Sequence, residues 1–184
     1  VVEATDLRPT AKDQVESLGG KWLDVPMSAE EQENAKKAAA SGYAWMPGPQ
    51  YIADQAVIVD KAVSQADIVI TTALIPGRAA PTLVTEEMVK SMKPGSVIVD
   101  LAAGKGADGV GGNCPLSEVD KVVQKHGVTL IGHSNLPAMV AADSSALYAR
   151  NVLDFLKLVF DKEAQFKVDL EDDIVKACLM TQGG

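Results

Sequence analysis

Short apolar runs alternate with amphipathic stretches along this chain, beginning with Val1-Val2-Glu3-Ala4-Thr5, a β-prone run that stops at Asp6. Pro9-Thr10 opens a helical pattern through Val15 and Leu18 that ends at Gly19-Gly20, with proline at the start and glycine at the stop. Trp22 to Val25 predicts a second short strand, closed by Pro26. Ser28-Ala29-Glu30-Glu31 then sets a hydroxyl cap and two acids at the start of a helix that reaches Ala40. From Ser41 to Tyr51 the period is lost. Two prolines, two glycines and three aromatics predict a loop there, either an exposed lid or docking surface or a small packed cluster. A helix over 52–64 follows, then the apolar run Asp67 to Thr72, a helix capped by Thr85, and the apolar run Ser96 to Leu101. Beyond the glycine-rich stretch 102–115 come two β-prone runs around Gly127, either a hairpin or a strand with its approach. A long amphipathic helix over 143–159 and an alternating segment over 165–180 complete the pattern.

Strands alternating with helices, and apolar enough for burial, predict an α/β fold: a doubly wound, mostly parallel sheet covered on both faces. At 184 residues the chain is one generous domain, or one and a half. Its charge of -8 repels phosphate backbones and anionic headgroups, which excludes nucleic acid as a partner. Cys114 and Cys178 form no C-x-x-C, and with His126 and His133 they give no metal-ligand spacing, so no metal is expected. The apolar stretch from Ile68 to Pro76 is too short to cross a bilayer.

Ligands of doubly wound sheets bind beyond the carboxyl ends of the strands, which directs attention to the residues following each run. Asp6 ends the first strand, where a carboxylate accepts hydrogen bonds from ribose hydroxyls and repels a 2′-phosphate; alternatively it caps the helix starting at Pro9. Arg8 is a counter-signal, since a guanidinium accommodates that phosphate. Thr72-Ala73-Leu74-Ile75-Pro76-Gly77 ends a buried strand with small residues that let a flat ring approach the backbone, or is an ordinary tight loop. Gly111-Gly112-Asn113-Cys114 is a backbone cradle or a connection. No G-x-G-x-x-G lies between a strand and a helix, and no protein acid, base or nucleophile stands out as catalytic.

These residues resemble one family along essentially the whole chain: the NAD(H)-binding component, in the alpha subunit, of proton-translocating NAD(P) transhydrogenase. The resemblance rests on ordered blocks: Ala4-Thr5-Asp6-Leu7-Arg8-Pro9, Gln14 to Gly20, Gly42-Tyr43-Ala44, Thr71 to Gly77, Lys93 to Ala102, Gly111 to Leu116 and His133 to Pro137. It implies a dinucleotide-binding domain over 1–142 and, over 143–184, a connecting helix and C-terminal segment returning to another domain. By the same resemblance NAD(H) binds this chain and passes hydride directly to or from NADP(H) on a separate domain. Asp6, Leu7 and Arg8 meet the adenosine ribose; Gly42 and Tyr43 belong to a mobile closing loop; Gln55, Thr72, Ala73 and Leu74 line the nicotinamide side. The implied partners are an NADP(H)-binding beta subunit and a membrane-spanning domain, with a homodimer when complete, at the cytoplasmic face of the bacterial inner membrane.

Two departures stand out: Trp45 to Pro49 replaces a charged helical stretch, and Gly104 to Val110 looks inserted. In that pattern the glycine-rich turn lies upstream of Val1, so the chain is expected to be a piece of a longer subunit, inactive alone, whose first strands lack a central neighbour. Alanine dehydrogenase is the nearest alternative, but its imine chemistry needs an acid in the loop after Leu101, where this chain has no carboxylate until Asp108. Hydride exchange between two nicotinamides needs none. A non-catalytic interaction domain is the third reading.

Overall fold

Residues 1–8, 10–39, 46–75 and 77–181 are described by the computed structural model. Two units divide the chain, Val1–Ser134 and Asn135–Gly184. In the first, β1 (Glu3–Ala4) and β2 (Lys21–Trp22) pair in parallel with Glu3 opposite Lys21, and α1 (Ala11–Ser17) makes the crossover. Both strands are shorter than the predicted runs, because among the described residues each has a single hydrogen-bonded neighbour and the ladder extends only two residues.

α2 (Ala29–Ala39) opens on a reciprocal capping box. The Ser28 N–H donates to Glu31 Oε2 at 2.9 Å, and the Glu31 N–H donates to Ser28 Oγ at 3.2 Å. α3 (Pro49–Gln65) starts earlier than predicted, with Gly48 as N-cap and Pro49 in the first turn. Tyr51, read from sequence as loop, is therefore helical; it is 3% exposed and packs with Val25 and Ala35. The packed-cluster reading holds for Tyr51, whereas Tyr43 and Trp45 lie outside the described residues.

The second sheet follows the order β3-β4-β6-β5, from β3 (Ile68–Thr71), β4 (Val97–Asp100), β5 (Val122–Lys125) and β6 (Val128–Ile131), with α4 (Glu86–Ser91) between the first two. β3, β4 and β6 are parallel. The runs around Gly127 form an antiparallel hairpin, turned by His126 and Gly127 at φ 53° and 81°; glycine supplies one of the two left-handed positions such a turn requires.

One face of this sheet, carrying Ile98, Val128 and Leu130, packs on Val63 of α3 and on Met88 and Val89 of α4. The opposite face is not covered as expected: Ile68 and Ile70 are 65% and 64% exposed. The reason lies in the connections. Both α3 and α4 deliver their apolar sides to the same face, and the stretch from β4 to β5 carries no helix.

The second unit contains α5 (Leu136–Met139), α6 (Ala141–Val159) and α7 (Asp173–Cys178). On α6, Leu147, Val152 and Leu158 are exposed, and Phe155 is half-buried. The alternating segment near the end contains the short helix α7, which Asp172 caps by accepting from the Ile174 and Val175 N–H groups at 2.9 and 3.0 Å. Among the described residues no helix is long and apolar enough to cross a membrane.

Candidate functional site

At the end of β1, Asp6 turns its carboxylate onto Arg8. Oδ1 accepts from the Arg8 N–H at 2.7 Å and from Nε at 3.1 Å, and Oδ2 accepts from Nη2 at 2.8 Å. Burial pushes the Asp6 carboxyl up, but the hydrogen bonds and charge of Arg8 outweigh it and hold the group below its ordinary value. A carboxylate offers roughly four lone-pair positions, so Oδ2 keeps one for another donor. The guanidinium fork is spent on Asp6, which weakens it as a receiver of phosphate. Asp6 does not cap α1, whose N-cap is Thr10.

Leu7 packs its side chain against the cluster of Val25, Ala35 and Tyr51. Next to Asp6, Thr5 Oγ1 is buried without a hydrogen-bond partner among the described residues. Thr5, Asp6, Arg8, Gln14 and Trp22 line a cleft of about 250 Å³. Burial raises the Tyr51 hydroxyl pKa, with the charges of Glu31 and Asp6 adding to it. Gln55 lies one turn further along the same face of α3 and is half-buried. Gly42 and Tyr43 lie outside the described residues.

At the end of β3, Thr72 and Leu74 are exposed and Ala73 is half-buried. What holds this tip is Asn113, entirely buried. Its Oδ1 accepts from the Ala73 N–H at 3.0 Å, while Nδ2 donates to the Ala73 carbonyl at 3.0 Å and to the Pro81 carbonyl at 2.8 Å. Asn113 is held in turn by Asp100, 1% exposed at the end of β4. That carboxylate accepts from the N–H groups of Ala102, Asn113 and Cys114 at 3.0, 3.2 and 2.9 Å and from Thr71 Oγ1 at 3.2 Å. Sequence reasoning placed Asn113 in a backbone cradle or a connection without its clamp on Ala73, and it gave Asp100 no role. The available signal was a lone acid closing an apolar strand, since such an acid must find donors when buried.

The glycine-rich stretch is ordered by close approach. A Cβ on Gly112 would lie 2.4 Å from the Ala102 carbonyl carbon, which only glycine avoids. The 104–110 segment closes on itself: Asp108 Oδ1 accepts from the Val110 and Gly111 N–H groups at 2.9 Å each, and these bonds hold the Asp108 carboxyl below its ordinary value. Between this loop and residues 74–79 lies a cleft of about 550 Å³, lined by Leu74, Ile75, Arg78, Lys105 and Ala107 among others. The two clefts share no lining residue among the described ones. The structure thus gathers Asp6, Leu7 and Arg8 at one strand end and Thr72, Ala73 and Leu74 at another. Among the described residues no group of His, Cys, Asp and Glu is placed to hold a metal.

A family model described as alanine dehydrogenase/PNT, C-terminal domain, matches residues 1–184. The chain is 50% identical to an NAD(P) transhydrogenase subunit alpha polypeptide of Rhodospirillum rubrum, over all of this chain and 46% of that protein. It is 37% identical to alanine dehydrogenase of Bacillus subtilis over 70% of this chain and 34% of that protein. The crystal structure of transhydrogenase from Sinorhizobium meliloti superposes with a TM-score of 0.67 at 42% identity, covering 96% of this chain and 42% of that one. The chain therefore spans less than half the length of these relatives.

Proposed function

The chain belongs to the family of alanine dehydrogenase/PNT C-terminal domains, and on that premise we propose that it holds NAD(H) for direct hydride exchange with NADP(H) carried by a partner. In this reading the partner is a beta subunit, the complex includes a membrane-spanning domain that couples transfer to proton translocation, the alpha subunit is a homodimer, and this portion of it faces the bacterial cytoplasm.

The carboxylate at the end of β1 carries the proposal. Asp6 stays charged and keeps an open lone pair, Arg8 is already committed to it, and the unpartnered Thr5 hydroxyl sits beside it. Paired ribose hydroxyls satisfy such a group, whereas a 2′-phosphate meets a like charge and a guanidinium already in use. The residues present thus fit NAD(H) better than NADP(H). When bound, the nicotinamide supplies the hydride chemistry itself. This chain's residues bind and orient: Asp6, Arg8 and the Leu7 backbone at the adenosine end, with Gln55, Thr72, Ala73 and Leu74 along the nicotinamide side, and Gly42 and Tyr43 in a closing loop.

The alanine dehydrogenase alternative needs a protein acid beyond β4. Asp108, the carboxylate available there, is tied into its own loop and held charged, the opposite of what a proton donor at neutral pH requires. The test is isotopic. NADH deuterated at the transferring C4 position is supplied with NADP⁺ to the intact subunit assembled with its partner. Deuterium is expected in NADPH and not in water; pyruvate- and ammonia-dependent NADH oxidation in its place would overturn the reading.

A further inference from the structure

We infer that Asn113 is a positioning residue for hydride transfer: it sets the backbone at the tip of β3 on which the nicotinamide ring rests. The inference deepens the nucleotide reading and rests on it. Asn113 uses both of its backbone polar groups and both ends of its side-chain amide to join two strand ends. Its N–H donates to Asp100, its carbonyl accepts from the N–H groups of Leu83 and Val84 at 2.8 and 3.0 Å, and its amide grips both backbone groups of Ala73 and the carbonyl of Pro81. The amide orientation is dictated by chemistry, since an N–H needs an acceptor and two carbonyls need donors.

Both the N–H and the C=O of Ala73 are thereby fixed from one side chain, so the peptide planes leading to Leu74 cannot rotate. Asp100 anchors the other end of the relay with three backbone N–H bonds. The next residue, Leu74, forms one wall of the larger cleft. A ring lying on this backbone inherits its alignment, and misplacement by about 1 Å costs on the order of a hundredfold in rate. The adenosine end at Asp6 lies beside a different sheet, so its contacts to NADH do not run through this tip.

The experiment uses the intact subunit with its partner and the variants Asn113→Ala, Asn113→Asp and the milder Asn113→Ser, each assayed well below its own Tm. Hydride transfer is expected to fall about 10- to 100-fold, while the NADH Kd changes by less than about threefold. In N113D the acceptor for the Ala73 N–H survives and the donors are lost. Acidification that protonates the new carboxyl returns one donor, so its rate is expected to recover relative to N113A as pH falls. Wild-type rates with only a lowered Tm would overturn the inference, as would NADH affinity and rate falling in equal proportion. Failure of the wild type to bind NADH would overturn the nucleotide reading first, and this inference with it.

Discussion

A single side chain decides the chemistry at the end of β1. Asp6 is stabilised by Arg8 and destabilised by partial burial, with a net depression of its pKa. A carboxyl with a depressed folded-state pKa contributes stability above its unfolded value, about 3.9, and loses it as pH falls through the lower folded value. Urea unfolding of Asp6→Asn is therefore expected to show a stability deficit that is constant above about pH 5 and shrinks below about pH 4. The pair is partly exposed, so the deficit stays within about 1 kcal/mol. A deficit growing on acidification would contradict the pairing. Asp100 and Asn113 are the contrasting case: neither faces solvent, and both bind groups far away in sequence, Asp100 at Thr71, Asn113 and Cys114 and Asn113 at Ala73 and Pro81.

Among the elements, α2 shows most directly how local code becomes structure. The Ser28–Glu31 box satisfies two backbone donors at the helix start. Ser28→Ala is expected to lower stability by about 1 kcal/mol, measured by denaturant midpoint with unchanged slope. α3 was legible as a helix but not in its start, because Pro47-Gly48-Pro49 reads as a breaker until Pro49 is seen in the first turn, where its missing N–H costs nothing. The alternation over 165–180 left that element unassigned, while Asp172 offered a helix cap.

For the molecule as a whole, the two strand ends of the candidate site sit on separate sheets. β1 has only β2 as neighbour and β3 only β4, with no described ladder joining the pairs. A dinucleotide reaching from Asp6 to Leu74 must span two pieces that no shared strand holds in register. The 184-residue chain by itself is accordingly expected to bind NADH weakly. Calorimetric titration checks this; low-micromolar affinity would show that the two ends are already aligned. The apolar face bearing Ile68 and Ile70 adds to the expectation, since exposed apolar area contributes nothing to holding a sheet in place.

The sequence by itself determined the α/β alternation, the caps and the strand-end acid, because propensity, period and capping act over a few residues. It also carried the ordered blocks that point to a transhydrogenase-type domain. Only the tertiary structure decided which sheet face is covered, that Arg8 is committed to Asp6 rather than to an incoming phosphate, and that Asn113 clamps Ala73 from 40 residues away. Those outcomes depend on which buried polar group meets which partner across the fold, and a hydrogen bond between distant residues leaves no periodic trace in the chain.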